Sequence, residues 1–127
     1  MSVTATSLTI MDSYLKNYIP TSTWIINATS TDFSGCEELK AAETGKSHYI
    51  TGFTVTTASA INISIGAGKS GSALAATLIG PLYFTTGGPG VVNVDFPEPV
   101  KIDISTAIDV DASGSGSSCV IIKGFTK

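Results

Sequence analysis

The side chains able to do chemistry in this sequence are few, and their spacing withholds most of the chemistry they could do. His48 is the only histidine. General-base work requires a group that orients the ring and a reacting atom within its reach, and no local motif supplies His48 with either. It opens a strand pattern out of phase with Tyr49 and Phe53, which predicts a place on the wetter face of a sheet, at the surface or against another subunit. Cys36 and Cys119 are the two cysteines. A Cys–His pair would need one of them beside His48 in space, and nothing local argues for that. The two thiols could pair with each other, yet two cysteines make no disulfide framework, and a buried free thiol is the ordinary fate of such residues. Ser115 lies between glycines in a stretch that reads as a turn, not as the strand–nucleophile–helix setting of a hydrolase serine.

Gly68-Lys69-Ser70 matches the end of a phosphate-binding loop. That loop needs another glycine five residues before its Gly-Lys pair, and Ile63 stands there. The stretch leads on into Gly, Ser and Ala with no helical pattern, so a mobile hairpin tip is the better reading. Asp103, Asp109 and Asp111 are candidate calcium ligands, because calcium gathers several oxygens. Asp109 and Asp111 fall on one strand face, with Asp103 expected on the neighbouring strand. The plainer reading is a solvated acidic patch that discourages edge-to-edge association. Asn27-Ala28-Thr29 matches a glycosylation acceptor, but the opening residues lack the basic stretch and continuous apolar core of a signal peptide. No catalytic residue and no cofactor is assigned, and an enzyme is not the expectation.

Composition points to strands. Ser and Thr together number 33 and glycine 13 among 127 residues, with β-branched types abundant and Leu, Glu, Lys and Arg scarce. Arginine is absent and the seven lysines are scattered, so the concentrated basic patch that nucleic-acid binding requires is missing. A net charge of −3 serves solubility. No apolar run approaches the ~20 residues of a membrane-spanning helix, so no membrane insertion is expected.

Residues 1–35 read differently from the rest. Residues 3–10 suit a short strand, and Met11, Leu15, Tyr18 and Ile19 have helical spacing in a turn that Pro20 would stop. A strand follows around Trp24–Ile26. This segment is either a pair of peripheral strands or an arm that packs on a neighbouring subunit, with Tyr14, Tyr18, Trp24 and Phe33 as its interface anchors. Residues 36–127 form the expected sandwich domain. Residues 36–42 suit a helical turn or the start of a strand. Tyr49, Thr51, Phe53 and Val55 alternate as an inward set, and Ile61, Ile63 and Ile65 alternate strictly. Residues 66–73 read as a flexible connection, and 73–86 as a strand bent at Gly80-Pro81. Val92, Val94 and Phe96 share a face before Pro97-Glu98-Pro99 closes that strand. Val100, Ile102 and Ile104 alternate next, then Ile108 and Val110, and the last strand runs through Cys119–Phe125. That makes about seven strands after Lys46. A sheet with one wet face cannot stand alone, so the prediction is an all-β, two-sheet antiparallel sandwich with jelly-roll connectivity favoured.

The succession Gly45-Lys46, Thr51-Gly52, Gly87-Gly88, Asp95-Phe96-Pro97-Glu98-Pro99, Thr106-Ala107 and Gly124-Phe125, each at a strand end or turn, resembles small jelly-roll virion proteins of tailed bacteriophages. The match covers about two thirds of the chain and leaves out the N-terminal 35 residues. It implies a non-enzymatic component of the virion, assembled in the host cytoplasm, most directly a head decoration (cement) protein that binds and stabilises the capsid lattice. The implied partners are the major capsid protein or other virion proteins and further copies of the chain itself. A trimer is preferred over a dimer because such sandwiches often occupy local three-fold positions. The alternative is a tail or fibre adsorption module that binds host-surface carbohydrate, for which Trp24, Tyr83 and Phe84 are the candidate aromatic platform.

Overall fold

Branched residues at alternate positions leave the backbone little choice but the pleat. The structure, a computed structural model, describes residues 22–85 and 90–127. The expected strand at 3–10, the helical turn at 11–19 with Tyr14 and Tyr18, and the turn residues 86–89 with Gly87-Gly88 lie outside the described residues. In chain order the strands are β1 (Trp24–Asp32), β2 (Glu37–Lys40), β3 (His48–Thr57), β4 (Asn62–Ser70), β5 (Ala73–Tyr83), β6 (Gly90–Lys101), β7 (Ile108–Ala112) and β8 (Ser115–Thr126). They make an all-β antiparallel sandwich of two four-stranded sheets, ordered β1-β8-β3-β6 and β2-β7-β4-β5.

The pairing is nested. β1 pairs with β8, β2 with β7, β3 with β6, and β4 with β5. The chain is thus one long hairpin turned back on itself at Gly71-Ser72, and successive pairs fall in alternate sheets. β3–β8 and β4–β7 contacts join the pairs within each sheet. Between the sheets lies one core, in which Ile50, Val55, Ile63, Ile65, Ile108, Val110, Val120 and Ile122 are fully buried.

One extra residue in β3 changes which side chains reach that core. The register slips between Ile50 and Gly52 against both neighbours, so Thr51 is a bulge. Because side chains alternate with period two, a single inserted residue swaps the faces. Phe53 and Val55 point inward as the alternation predicts, but before the bulge the inward residues are His48 and Ile50. The same slip explains the prolines. Ile50 faces Val100 and Gly52 faces Asp95, so residues 96–99 stand opposite Thr51 alone. Pro97 and Pro99 have no N–H to give and sit where the ladder is interrupted. β6 therefore passes through Pro97-Glu98-Pro99 to Lys101 instead of ending there. Of the separate strand expected at 100–104, only Val100 and Lys101 are strand, as the end of β6; Ile102 beyond it is fully buried and Ile104 exposed.

One further expectation changes. The 66–73 stretch is not a flexible connection, since β4 continues to Ser70 and only Gly71-Ser72 turn, with Gly71 at a φ of 65°. Gly66 belongs to the strand because a Cβ there would lie 1.9 Å from the Ala76 carbonyl oxygen of β5. Of the two readings of residues 36–42, the strand is the one observed, over residues 37–40. Within 1–35, the described part is a peripheral strand, β1, at the edge of the first sheet.

Ile65 is fully buried at the middle of β4. Ile65→Ala is expected to lower the unfolding free energy by about 3 kcal/mol, measured as a shift of the urea midpoint with unchanged slope.

Candidate functional site

His48 is the residue whose placement departs furthest from expectation. It lies in the core at 1 % exposure, not on the wetter face, because the Thr51 bulge reverses its phase. Both ring nitrogens are occupied. Nε2 is 2.8 Å from the Ala41 carbonyl oxygen, which can only accept, so Nε2 donates. Nδ1 of the neutral ring then accepts the Thr126 hydroxyl at 2.7 Å. The Thr126 oxygen in turn accepts the Trp24 Nε1–H at 3.0 Å. This relay ties β1, β3, β8 and the 41–47 loop together, and it leaves no ring nitrogen for a substrate proton. His48→Leu should cost about 1–3 kcal/mol, because Ala41 and Thr126 lose their buried partner; chemical denaturation of the variant measures it.

Of the expected arm anchors, the two among the described residues, Trp24 and Phe33, make contacts within the domain. Trp24 is half-buried, edge-on to the His48 ring at 6.2 Å, with the Lys40 ammonium 5.1 Å from its centre. Phe33 is part of the core. Phe33 is thus enclosed by its own domain, while Trp24 keeps part of its surface open. The cysteines are free: Cys36 is buried at the start of β2, and Cys119 on β8 donates its thiol to Asn27 Oδ1 at 3.2 Å. Burial pushes the Cys36 thiol up, and the nearby Asp109 and Asp111 charges push it the same way, against nucleophilic use. Gly68, in the phosphate-loop look-alike, already gives its N–H to the Ala107 carbonyl at 3.0 Å.

Two outer surfaces remain. The outer face of the first sheet is built from cross-strand rows: Thr29–Cys119–Thr56–Val91, Asn27–Ile121–Thr54–Asn93, and Ile25–Lys123–Gly52–Asp95. Thr54 donates to Asn93 Oδ1 at 2.9 Å, and Lys123 bridges to Asp95 at 2.6 Å over Gly52. Tyr49 and Phe125 stack at 4.8 Å in the next row. Ile25 and Val91 protrude on the two edge strands, 69 % and 68 % exposed. The hollow among Phe53, Thr54, Asn93, Ile121 and Lys123 is about 80 Å³, well short of the ~300 Å³ of a small-ligand cleft. The surface suits contact with another broad surface.

The outer side of the second sheet carries the acidic residues. Asp109 and Asp111 share one side of β7, as the alternation predicts, while Asp103 is exposed on the loop before it. Among the described residues no three His, Cys, Asp or Glu side chains are placed to share a metal ion, so the three candidate calcium ligands are not brought together. Nor is Asp109 solvated, at 3 % exposure. It lines a depression of about 510 Å³ with Cys36, Glu37, Glu38, Gly68, Lys69 and Ala107. Burial raises its carboxyl above the ordinary value, the Glu38 charge adds to this, and Lys69 opposes it. Asp111 is raised by burial, against the backbone N–H groups of Ala112 and Cys36. Its Oδ1 is buried without a hydrogen-bond partner among the described residues. Sequence reasoning found the two aspartates but not the depression, which depends on where β2 runs.

No protein-family model matches the chain, and no curated protein matches it.

Since the folded Asp109 carboxyl holds its proton more tightly than the unfolded one, it favours folding below the ordinary value of 3.8 relative to neutral pH. That contribution is lost as pH rises from 3.8 through the raised folded value. Asp109→Asn should therefore be more stable than the parent at neutral pH, with a flatter acid-range stability profile. Thermal melts from pH 3 to pH 7 (about one unit apart) test both.

Proposed function

We propose that this chain is a non-catalytic structural protein of a tailed-phage virion, a head decoration protein that binds and stabilises the capsid lattice. The observation that carries this reading is the outer face of the first sheet, a broad Thr/Asn surface whose cross-strand rows hold one mutually neutralised ion pair and, at their centre, a hollow of only about 80 Å³. Such a face suits wet, extended contact with another protein, with Ile25 and Val91 as apolar points at its margins. The turn-and-core resemblance set out above supports the same assignment. The sandwich is read as a jelly roll, supported by strand orders in which two of the four nested strand pairs fall in each sheet. The protein acts as a homo-oligomer, a trimer in preference to a dimer, with the major capsid protein as its principal partner.

Mixing purified protein with undecorated capsids and weighing what cosediments tests the reading. Saturable binding is expected, and Thr56→Lys, central on the proposed contact face, should weaken it at least about tenfold. Absence of saturable binding overturns the decoration role.

One observation favours adsorption to carbohydrate as the second reading. Of the three candidate platform aromatics, Trp24 is engaged internally and Phe84 is buried, but Tyr83 is 72 % exposed. It stands directly across from Asn62, a ring beside an amide of the kind that sugars use.

A further inference from the structure

The depression on the second sheet holds charge without an evident partner. β2 and β7 run antiparallel with Glu38 directly opposite Asp109. Carboxylates so placed lie roughly 5 Å apart at Cβ and repel one another. Asp109 is the more confined of the two, at 3 % exposure, and it lines the depression. Among the described residues its carboxylate makes no hydrogen bond and no ion pair. The lysine–carboxylate ion pair found there is that of Lys123 with Asp95. Lys69 also lines the depression without forming an ion pair with either acid. A buried carboxylate left in this state lowers stability. Its position beside an opening wide enough to admit a side chain is what a waiting counter-charge requires.

We infer that this depression is a socket for a guanidinium group, the arginine side chain of a partner protein. A divalent cation is the poorer occupant. Calcium takes six to eight oxygens, and no three acidic, histidine or cysteine side chains converge here among the described residues. A planar guanidinium brings five N–H donors in a fixed fork, able to reach two carboxylates at once and less costly to dehydrate than an ammonium. No residue of this sequence is an arginine, so none of these side chains can supply the guanidinium. The volume of about 510 Å³ accommodates the head group with the stem that carries it. The site lies on the sheet opposite the proposed lattice-contact face, and it holds whether or not the partner is a capsid.

The test uses the isotope-labelled full chain, titrated with N-acetyl-arginine methylamide and followed by amide chemical shifts. Saturable shifts centred on Glu38, Gly68 and Asp109 are expected, several-fold tighter than those from the N-acetyl-lysine counterpart. Asp109→Asn should weaken binding at least about tenfold while keeping a dispersed native spectrum. Glu38→Gln, at an exposed position, gives a second variant that should weaken it less if Asp109 does not tolerate change. Three outcomes overturn the inference: no shifts at these amides, equal binding of the lysine probe, or tighter saturable shifts there from calcium chloride. Because the probe is a small molecule, its result is independent of capsid cosedimentation.

Discussion

Isoleucine and valine on one side of a strand, with threonine, serine and asparagine on the other, cannot be exposed to water on both sides at tolerable cost. Burial of each such aliphatic side chain contributes about 1.5–3 kcal/mol, and a four-stranded sheet has only one way to gain it across its whole inner face: a second sheet laid against it. Everything else in this molecule follows from that closure. The nested pairing supplies two sheets with matching inner faces. The outer faces are left to polar residues, which on the first sheet satisfy each other across strands, as Thr54 does with Asn93 and Lys123 with Asp95.

Where closure and simple alternation conflict, closure wins, at the cost of one bulge. Thr51 slips the register so that His48 and Ile50 can join Phe53 and Val55 in the interior. A histidine drawn inward must then have both nitrogens satisfied, and Thr126, Trp24 and Ala41 do this. The relay and the bulge are one feature seen from two sides. The proline-flanked excursion of β6 is the answering irregularity on the neighbouring strand.

This marks the boundary of what the residues disclose before folding. The strictly alternating runs, Ile61–Ile65 and Ile108–Val110, reveal their inward faces directly, and with them the two-sheet class. A bulge has no such signature: Thr51 looks like any other threonine in a strand, so the phase of His48 is set by partners more than seventy residues away, Lys123 and Thr126. Glycine-rich composition misleads between Gly66 and Ser70 for a related reason, because Gly66 is there to let β5 come close, not to loosen the chain. The acidic side of the second sheet was half visible. The alternation places Asp109 and Asp111 together, but the pairing of β2, four residues long, decides that Glu38 faces Asp109 and that the carboxylate is enclosed.

The nested arrangement also constrains the order in which the molecule can be made. β4 and β5 can meet as soon as both have been synthesised, since only two residues separate them. β1 must wait for β8: Trp24 lies opposite Gly124, at the far end of the chain. During translation the β1 edge of the first sheet therefore stays open until β8 has been made, and closing so large a loop is slow compared with forming a local hairpin. The Trp24–Thr126–His48 relay joins residues of β1, β3 and β8, so it acts as a latch that engages only once β8 is in place.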